Sequence, residues 1–169
     1  MGRTPPIVAI VGKSGSGETT LVEKLVAHLS QQGIKVGTIK HSCHPHPMDM
    51  PGKDSWRHKK AGARKTVFAG PSSLQLVMDV DRQAEPLDIV SSFMADMELV
   101  IVEGFKHARV DKIEILRSGI TETPTLSPED GLIAIATDLK LEAQKVPVLN
   151  LNSAEEITTF LLKHLSIRT

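Results

Sequence analysis

Residues 7–20 of this 169-residue chain read Ile7-Val8-Ala9-Ile10-Val11-Gly12-Lys13-Ser14-Gly15-Ser16-Gly17-Glu18-Thr19-Thr20. The first five are apolar and mostly β-branched, which predicts a strand buried on both faces. Apolar residues then recur at helical spacing as far as Gly33, which predicts a helix from residue 19 to residue 32. A strand, a glycine-rich turn and a helix in this order are typical of a phosphate-binding loop.

The turn matches the Walker A pattern G-x-x-x-x-G-K-[ST] at every fixed position except the lysine, which is replaced by Glu18. Glycines in such a loop allow backbone N–H groups to point at a phosphate, and Thr19 is placed to ligate Mg²⁺. The sequence therefore predicts a nucleotide-binding protein. We expect the phosphates to be held by Gly12, Lys13, Ser14, Gly15, Ser16, Gly17, Glu18, Thr19 and Thr20.

Glu18 opposes this prediction, because a carboxylate there puts like charge beside the phosphates. A pair of unit charges about 4 Å apart interacts by roughly 4 kcal/mol at an effective dielectric constant near 20. Three arrangements would relieve the repulsion: the side chain turns outward, Lys13 supplies the missing positive charge, or Mg²⁺ bridges the carboxylate and the phosphates. A change that disables the loop is the fourth alternative.

The order of strands and helices predicted along the rest of the chain indicates an α/β fold that is P-loop NTPase-like. We expect a largely parallel sheet flanked by helices, in one domain over residues 1–169. Two predicted segments bear on the position of the site. Residues 112–116 alternate like an edge strand, and Asp54-Ser55 is placed to cap a short helix. The other predicted strands are 36–40, 66–69, 74–80, 99–102, 132–136 and 146–149, with 66–69 and 74–80 forming a hairpin; further helices are 54–61, 86–96 and one capped by Ser153.

Composition excludes several functional classes. Lys plus Arg and Asp plus Glu both number 20, and the aromatic residues are four Phe and one Trp, so neither a basic field nor a stacking platform for nucleic acid is expected. No apolar run is long enough to cross a membrane. Cys43 is the only cysteine, which fits a reducing compartment, and we expect a cytoplasmic protein.

Several blocks together resemble the MobB family of molybdopterin-guanine dinucleotide biosynthesis adaptor proteins. They follow one another in the family's order and cover most of the chain. The blocks are the phosphate loop, Gly37-Thr38-Ile39-Lys40-His41, Asp49 with Pro51-Gly52-Lys53-Asp54-Ser55, Ala61-Gly62-Ala63 and Leu99-Val100-Ile101-Val102-Glu103-Gly104-Phe105-Lys106.

The resemblance implies a GTP-binding, dimeric accessory protein that is at most a weak GTPase. Its cofactors would be GTP and Mg²⁺. Its partners would be molybdopterin and the guanylyltransferase that joins a guanosine nucleotide to molybdopterin.

Candidate site residues follow the predicted strands. Glu103 ends an apolar run where an acidic residue contacts Mg²⁺ directly or through water, so Thr19, Glu103 and Asp54 are the predicted metal ligands. Asp138 follows a strand and is placed either to accept hydrogen bonds from guanine or to serve as a turn residue. Lys40, His41, Asp49 and Asp54 are predicted to contact the pterin or the partner enzyme.

Two questions stay open at this level. His41, Cys43, His44 and His46 are dense enough for a zinc site, but only a contorted loop would bring all four together. Glu18 favours an alternative function, a scaffold that binds the partner enzyme or molybdopterin without turning nucleotide over. A small-molecule kinase is a third possibility, although no arginine-rich lid is evident.

Overall fold

A computed structural model describes residues 4–44 and 49–167, and the chain forms two compact units. One comprises residues 1–41 and 85–169, and the other comprises residues 42–84. The elements are β1 (Ile7–Gly12), α1 (Glu18–Gln31), β2 (Val36–Lys40), α2 (Asp54–Lys60), β3 (Lys65–Ala69), β4 (Leu74–Met78), α3 (Pro86–Phe93), β5 (Leu99–Glu103), β6 (Asp111–Leu116), β7 (Leu132–Thr137), β8 (Val148–Asn150) and α4 (Ala154–His164).

The larger unit is built on a six-stranded sheet in the order β2-β5-β1-β6-β7-β8, and all of its strand pairs are parallel. This confirms the predicted P-loop NTPase-like α/β fold. Strand β1 is a central strand, which pairs with β5 on one side and β6 on the other. Ser153 caps α4 as predicted, since its side chain accepts a hydrogen bond from the Glu156 N–H.

The two faces of β1 belong to different parts of the core. Val8 and Ile10 lie in a cluster with residues of α1 and α4, among them Leu25 and Ile157. Ala9 and Val11 lie in a second cluster with Val90 of α3 and with Val100 and Val102 of β5. Burial on both faces explains why the strand is a continuous apolar run, and it fixes where the loop after β1 begins.

The prediction of an edge strand at residues 112–116 is wrong, because β6 lies between β1 and β7. Its polar residues, Lys112 and Glu114, are each only 2% exposed. Lys112 Nζ donates to the carbonyl oxygens of Ala108, Val110 and Asp130 at 2.6, 3.0 and 2.6 Å. The polar and apolar residues of β6 alternate although both faces of the strand are buried. One face is apolar, and the other carries charged groups that hydrogen-bond to neighbouring irregular segments.

Glu114 fastens a second irregular segment to the same face of β6. Its carboxylate oxygens accept hydrogen bonds from the N–H groups of Thr125 and Leu126, at 3.0 to 3.2 Å, and from the Thr125 hydroxyl. A buried carboxylate is tolerated only with such partners. The segment around Thr125, which precedes a short 3-10 helix at Pro128–Asp130, is thus held to the sheet by this carboxylate.

The smaller unit contains α2 and the antiparallel hairpin of β3 and β4, which was predicted. The predicted cap by Asp54 is wrong: Lys53 is the N-cap, without a side-chain cap bond, and Asp54 is the first helical residue. The Asp54 carboxylate instead lies 3.6 Å from Arg57 Nη1 one turn along the helix. The hairpin exposes four large apolar side chains, Val67, Phe68, Leu74 and Leu76, at 56, 60, 73 and 41%.

Within the described residues, no helix is both long and apolar enough to span a membrane. The prediction of one domain over residues 1–169 did not distinguish residues 42–84 as a compact unit of their own.

Replacing Lys112 by Met is expected to lower the free energy of unfolding by about 2–4 kcal/mol, because three buried carbonyl groups lose a charged donor. Chemical denaturation measures the change. The control is Lys140→Met, an exposed lysine that should change stability by less than about 0.5 kcal/mol. Equal stability of Lys112→Met and the wild type would contradict a structural role for the ammonium group.

The pH dependence gives a second test of Lys112. Burial lowers the pKa of this lysine from its usual value of 10.5, so the unfolded chain binds the proton more tightly than the folded protein. The stability of the wild type relative to Lys112→Met should therefore increase as the pH rises toward 10.5. Denaturation at several pH values checks the sign, and an unchanged or decreasing difference would contradict it.

Candidate functional site

The loop between β1 and α1 has the backbone of a phosphate-binding turn. Gly15 and Gly17 have φ values of 84° and 101°, which L-residues with side chains rarely adopt. The Ser16 N–H donates to the Lys13 carbonyl at 2.9 Å, and Gly17 directly precedes the first residue of α1. The positive end of the helix is thus directed at the loop, where an anion would be stabilised.

Gly12 and Ser16 pack against each other at the base of the loop. A Cβ atom on Gly12 would lie 2.2 Å from Ser16 Oγ, far inside contact distance. Ser16 is fully buried, and its hydroxyl has no hydrogen-bond partner in the part of the chain that the structure describes. The loop therefore closes tightly on itself, and its first glycine is required by space rather than by φ.

The Glu18 side chain lies against this loop. Its carboxyl carbon is 3.4 Å from the position that a Cβ of Gly12 would take, and the residue is half-buried. The side chain therefore does not turn away from the loop in this structure. The repulsion expected between Glu18 and a phosphate needs a compensating cation.

A hydroxyl, a carboxylate and an ammonium group meet beside the loop. Thr19 Oγ1 donates to Glu103 Oε1 at 2.6 Å, and Lys40 Nζ contacts the same oxygen. Lys40 and Glu103 are opposite each other at the carboxyl ends of β2 and β5. Hydroxyl and carboxylate oxygens are the hard ligands that Mg²⁺ takes, usually together with phosphate and water, so Thr19 and Glu103 fit this ion.

The backbone after Glu103 holds its carboxylate in place. Gly104 and Phe105 both have positive φ, 87° and 56°. The Gly104 N–H donates to the Ile10 carbonyl, and the His41 N–H donates to the Glu103 carbonyl. The His41 ring packs on Phe105, with centroids 4.3 Å apart. A non-glycine residue at positive φ is strained, and such strain concentrates at functional sites.

Arg117 lies on the other side of the loop and was not identified from the sequence. Its Nη1 donates to the Ser16 carbonyl at 3.3 Å and lies 2.9 Å from where a Cβ of Gly17 would be. Asp138 Oδ2 is 3.8 Å from Arg117 Nε, and Asp138 Oδ1 accepts the Ser118 N–H at 3.0 Å. Asp138, predicted to contact guanine, is thus tied to the residues that follow β6.

The other predicted residues make contacts of their own. Lys13 is exposed, with Nζ 3.4 Å from the Ile120 carbonyl oxygen. Asp49 and Asp54 belong to the smaller unit, where Asp49 Oδ1 accepts the Met50 N–H at 2.7 Å. Their roles toward the pterin, the partner enzyme or the metal stay predictions.

The histidine- and cysteine-rich segment shows no metal centre in its described part. His46 lies outside the described residues, and Cys43 is exposed. Across residues 4–44 and 49–167, no group of three or more His, Cys, Asp or Glu side chains is arranged to hold a metal ion.

Comparison with known proteins places these features in one family. The sequence model described as "Molybdopterin guanine dinucleotide synthesis protein B" matches residues 7–138. The chain is 36% identical to the molybdopterin-guanine dinucleotide biosynthesis adapter protein of Escherichia coli over 162 residues, covering 94% of this chain and 92% of that protein. The corresponding protein of Haemophilus influenzae is 34% identical, with 95% and 90% covered.

The fold agrees with a solved structure of this kind. The crystal structure of Bacillus subtilis MobB superposes with a TM-score of 0.71 at 28% identity, covering 95% of this chain and 97% of that one.

Substituting Gly12 by Ala is expected to distort the loop, because the new methyl group would occupy the space of Ser16 Oγ. Removing the Ser16 side chain in Gly12→Ala/Ser16→Gly should restore part of the lost melting temperature. Thermal unfolding of the two variants and of Ser16→Gly alone measures this coupling. Additive losses in the double variant would contradict the close packing of Gly12 and Ser16.

Proposed function

Because this chain belongs to the MobB family and acts as an adapter in molybdopterin-guanine dinucleotide biosynthesis, we propose that it works by binding GTP with Mg²⁺ at the phosphate loop. The observation that carries this proposal is the hydrogen bond from Thr19 to Glu103 beside the start of α1. It unites the hydroxyl and the acidic residue that phosphate-loop proteins use for Mg²⁺.

The chain's own groups have separate tasks in this proposal. Backbone N–H groups of residues 13–18 hold the phosphates, with support from the positive end of α1. Thr19 and Glu103 hold Mg²⁺, with Asp54 as the further predicted ligand. When bound, Mg²⁺ would neutralise charge on the phosphate oxygens. Asp138, joined to Arg117 near Gly17, is the proposed acceptor for the guanine N–H groups.

The proposed partners are the guanylyltransferase and molybdopterin. Lys40 and His41 lie at the carboxyl end of β2, at the edge of the sheet where doubly wound folds bind ligands. Asp49 and Asp54, which belong to the smaller unit, are also proposed to contact the partner enzyme or the pterin. The cytoplasmic location expected from the sequence stays a prediction.

A scaffold that does not use nucleotide is the second candidate function, and one observation favours it. The Glu18 carboxyl group lies against the loop rather than away from it. Unless another cation compensates, this carboxylate opposes any phosphate held there.

Calorimetric titration with Mg²⁺ and a slowly hydrolysed GTP analogue separates the two functions. We expect the wild type to bind in the micromolar range and Glu18→Lys to bind at least about tenfold more tightly, because repulsion becomes attraction. Thr19→Ala, the control, should lose the dependence on Mg²⁺. Binding by Glu18→Lys alone would favour the scaffold, and binding by neither protein would contradict the phosphate-loop hypothesis.

A homodimer is proposed from the exposed hairpin of β3 and β4. Three of its exposed apolar side chains, Val67, Leu74 and Leu76, lie on the same face of the hairpin, and Val67 is the register partner of Leu76. Exposed apolar side chains grouped in this way mark protein interfaces.

Replacing Val67 and Leu74 by Glu is therefore expected to shift the mass measured by light scattering from dimer to monomer. Leu87→Glu is the control, because Leu87 is an exposed apolar residue of α3, outside the hairpin, at 52%. A dimer that persists in the hairpin variant would exclude this interface.

A further inference from the structure

We infer that Lys40, from the end of β2, supplies the positive charge that the phosphate loop lacks at residue 18. The inference rests on the proposed nucleotide binding and deepens it by naming a phosphate-binding residue. It starts from a single oxygen, Glu103 Oε1, which contacts both the Lys40 ammonium group and the Thr19 hydroxyl.

The register of the sheet places Lys40 near the phosphate loop. Lys40 and Glu103 are register partners in the parallel pair of β2 and β5, and Ile10 of β1 is the partner of Glu103 on the other side. β2 and β5 thus end at the same level, and β1 ends two residues farther on, at Gly12, where the loop begins. The Glu103 side chain is 11% exposed, whereas that of Lys40 is 62% exposed. The carboxylate is therefore fixed, and the ammonium group has room to change partners.

The position of Thr19 indicates which part of a bound nucleotide would lie near Lys40. The hydroxyl at this position of a phosphate loop marks the side on which Mg²⁺ and the β- and γ-phosphates are held. An ammonium group that shares a carboxylate oxygen with Thr19 is next to that side. This is the region that the loop's own lysine, absent here, would serve.

Two other cations near the loop are engaged differently. Lys13 Nζ is directed to the Ile120 carbonyl, and Arg117 lies between the Ser16 carbonyl and the Asp138 carboxylate. Lys40 alone of these three contacts the Thr19–Glu103 pair. In this structure it balances Glu103, and with nucleotide bound it donates to the phosphate oxygens near Glu18.

The test is a double-mutant cycle between residues 18 and 40. Binding of guanosine 5′-(β,γ-imido)triphosphate with Mg²⁺ is measured by calorimetry for the wild type, Lys40→Gln, Glu18→Lys and the double variant. Loss of a charged hydrogen bond predicts about tenfold to hundredfold weaker binding for Lys40→Gln. In the Glu18→Lys background the same change should cost less than about threefold, because the loop then has its own lysine.

Two further variants separate charge from structure. Lys40→Arg keeps the positive charge and should retain most of the affinity. Lys35→Gln removes an exposed lysine just before the opposite end of the same strand and should change nothing. Thermal melting of the nucleotide-free proteins provides a readout that does not depend on binding.

Each adverse outcome has a distinct meaning. Equal binding by Lys40→Gln and the wild type would overturn the inference and leave the proposed nucleotide binding intact. Equal losses in both backgrounds would also overturn it, by showing that Lys40 acts independently of residue 18. Binding that requires Glu18→Lys would overturn it and leave only the scaffold function. Absence of binding in all four proteins would contradict both proposals.

Discussion

The register of β1 between β5 and β6 is the constraint on which the candidate site depends. Ile10 is the partner of Glu103, and Gly12 is the partner of Ile115, two residues before Arg117. These pairings bring an acidic residue to one side of the phosphate loop and a guanidinium group to the other. Because β1 is buried on both faces, a slip of the register would disturb both core clusters and the site together.

Charges at this sheet edge are arranged in pairs rather than as one positive field. Lys40 is paired with Glu103 and Arg117 with Asp138, while the Glu18 side chain lies against the loop near Gly12. A loop surrounded in this way attracts an anion less strongly than one with its own lysine. If nucleotide binds as proposed, its affinity would depend on how readily these cations exchange their carboxylate partners for phosphate.

Elements were predicted correctly from the sequence where the pattern of apolar and polar residues follows directly from which side chains are buried. Strand β1 was found from its continuous apolar run, helix α1 from its helical spacing, and the hairpin from two neighbouring segments typical of strands. Strand β6 was assigned to the wrong place because Lys112 and Glu114 are buried: Lys112 donates to the Asp130 carbonyl, and Glu114 accepts from the Leu126 N–H. Such contacts with the segment that follows the strand are not visible in the local pattern. The loop and Glu103 followed from their motifs, whereas Arg117 required the strand order, since about a hundred residues separate it from Ser16.

The two buried charges of β6 also affect how the irregular segments open. The amides of Thr125 and Leu126 end on the carboxylate of a central strand, not on water or on a neighbouring turn. Hydrogen exchange at these amides is then coupled to separation of the loop from the sheet, so they should exchange as slowly as strand residues do. For the same reason we expect this segment, which lacks regular secondary structure, to resist proteolysis better than a loop without such an anchor.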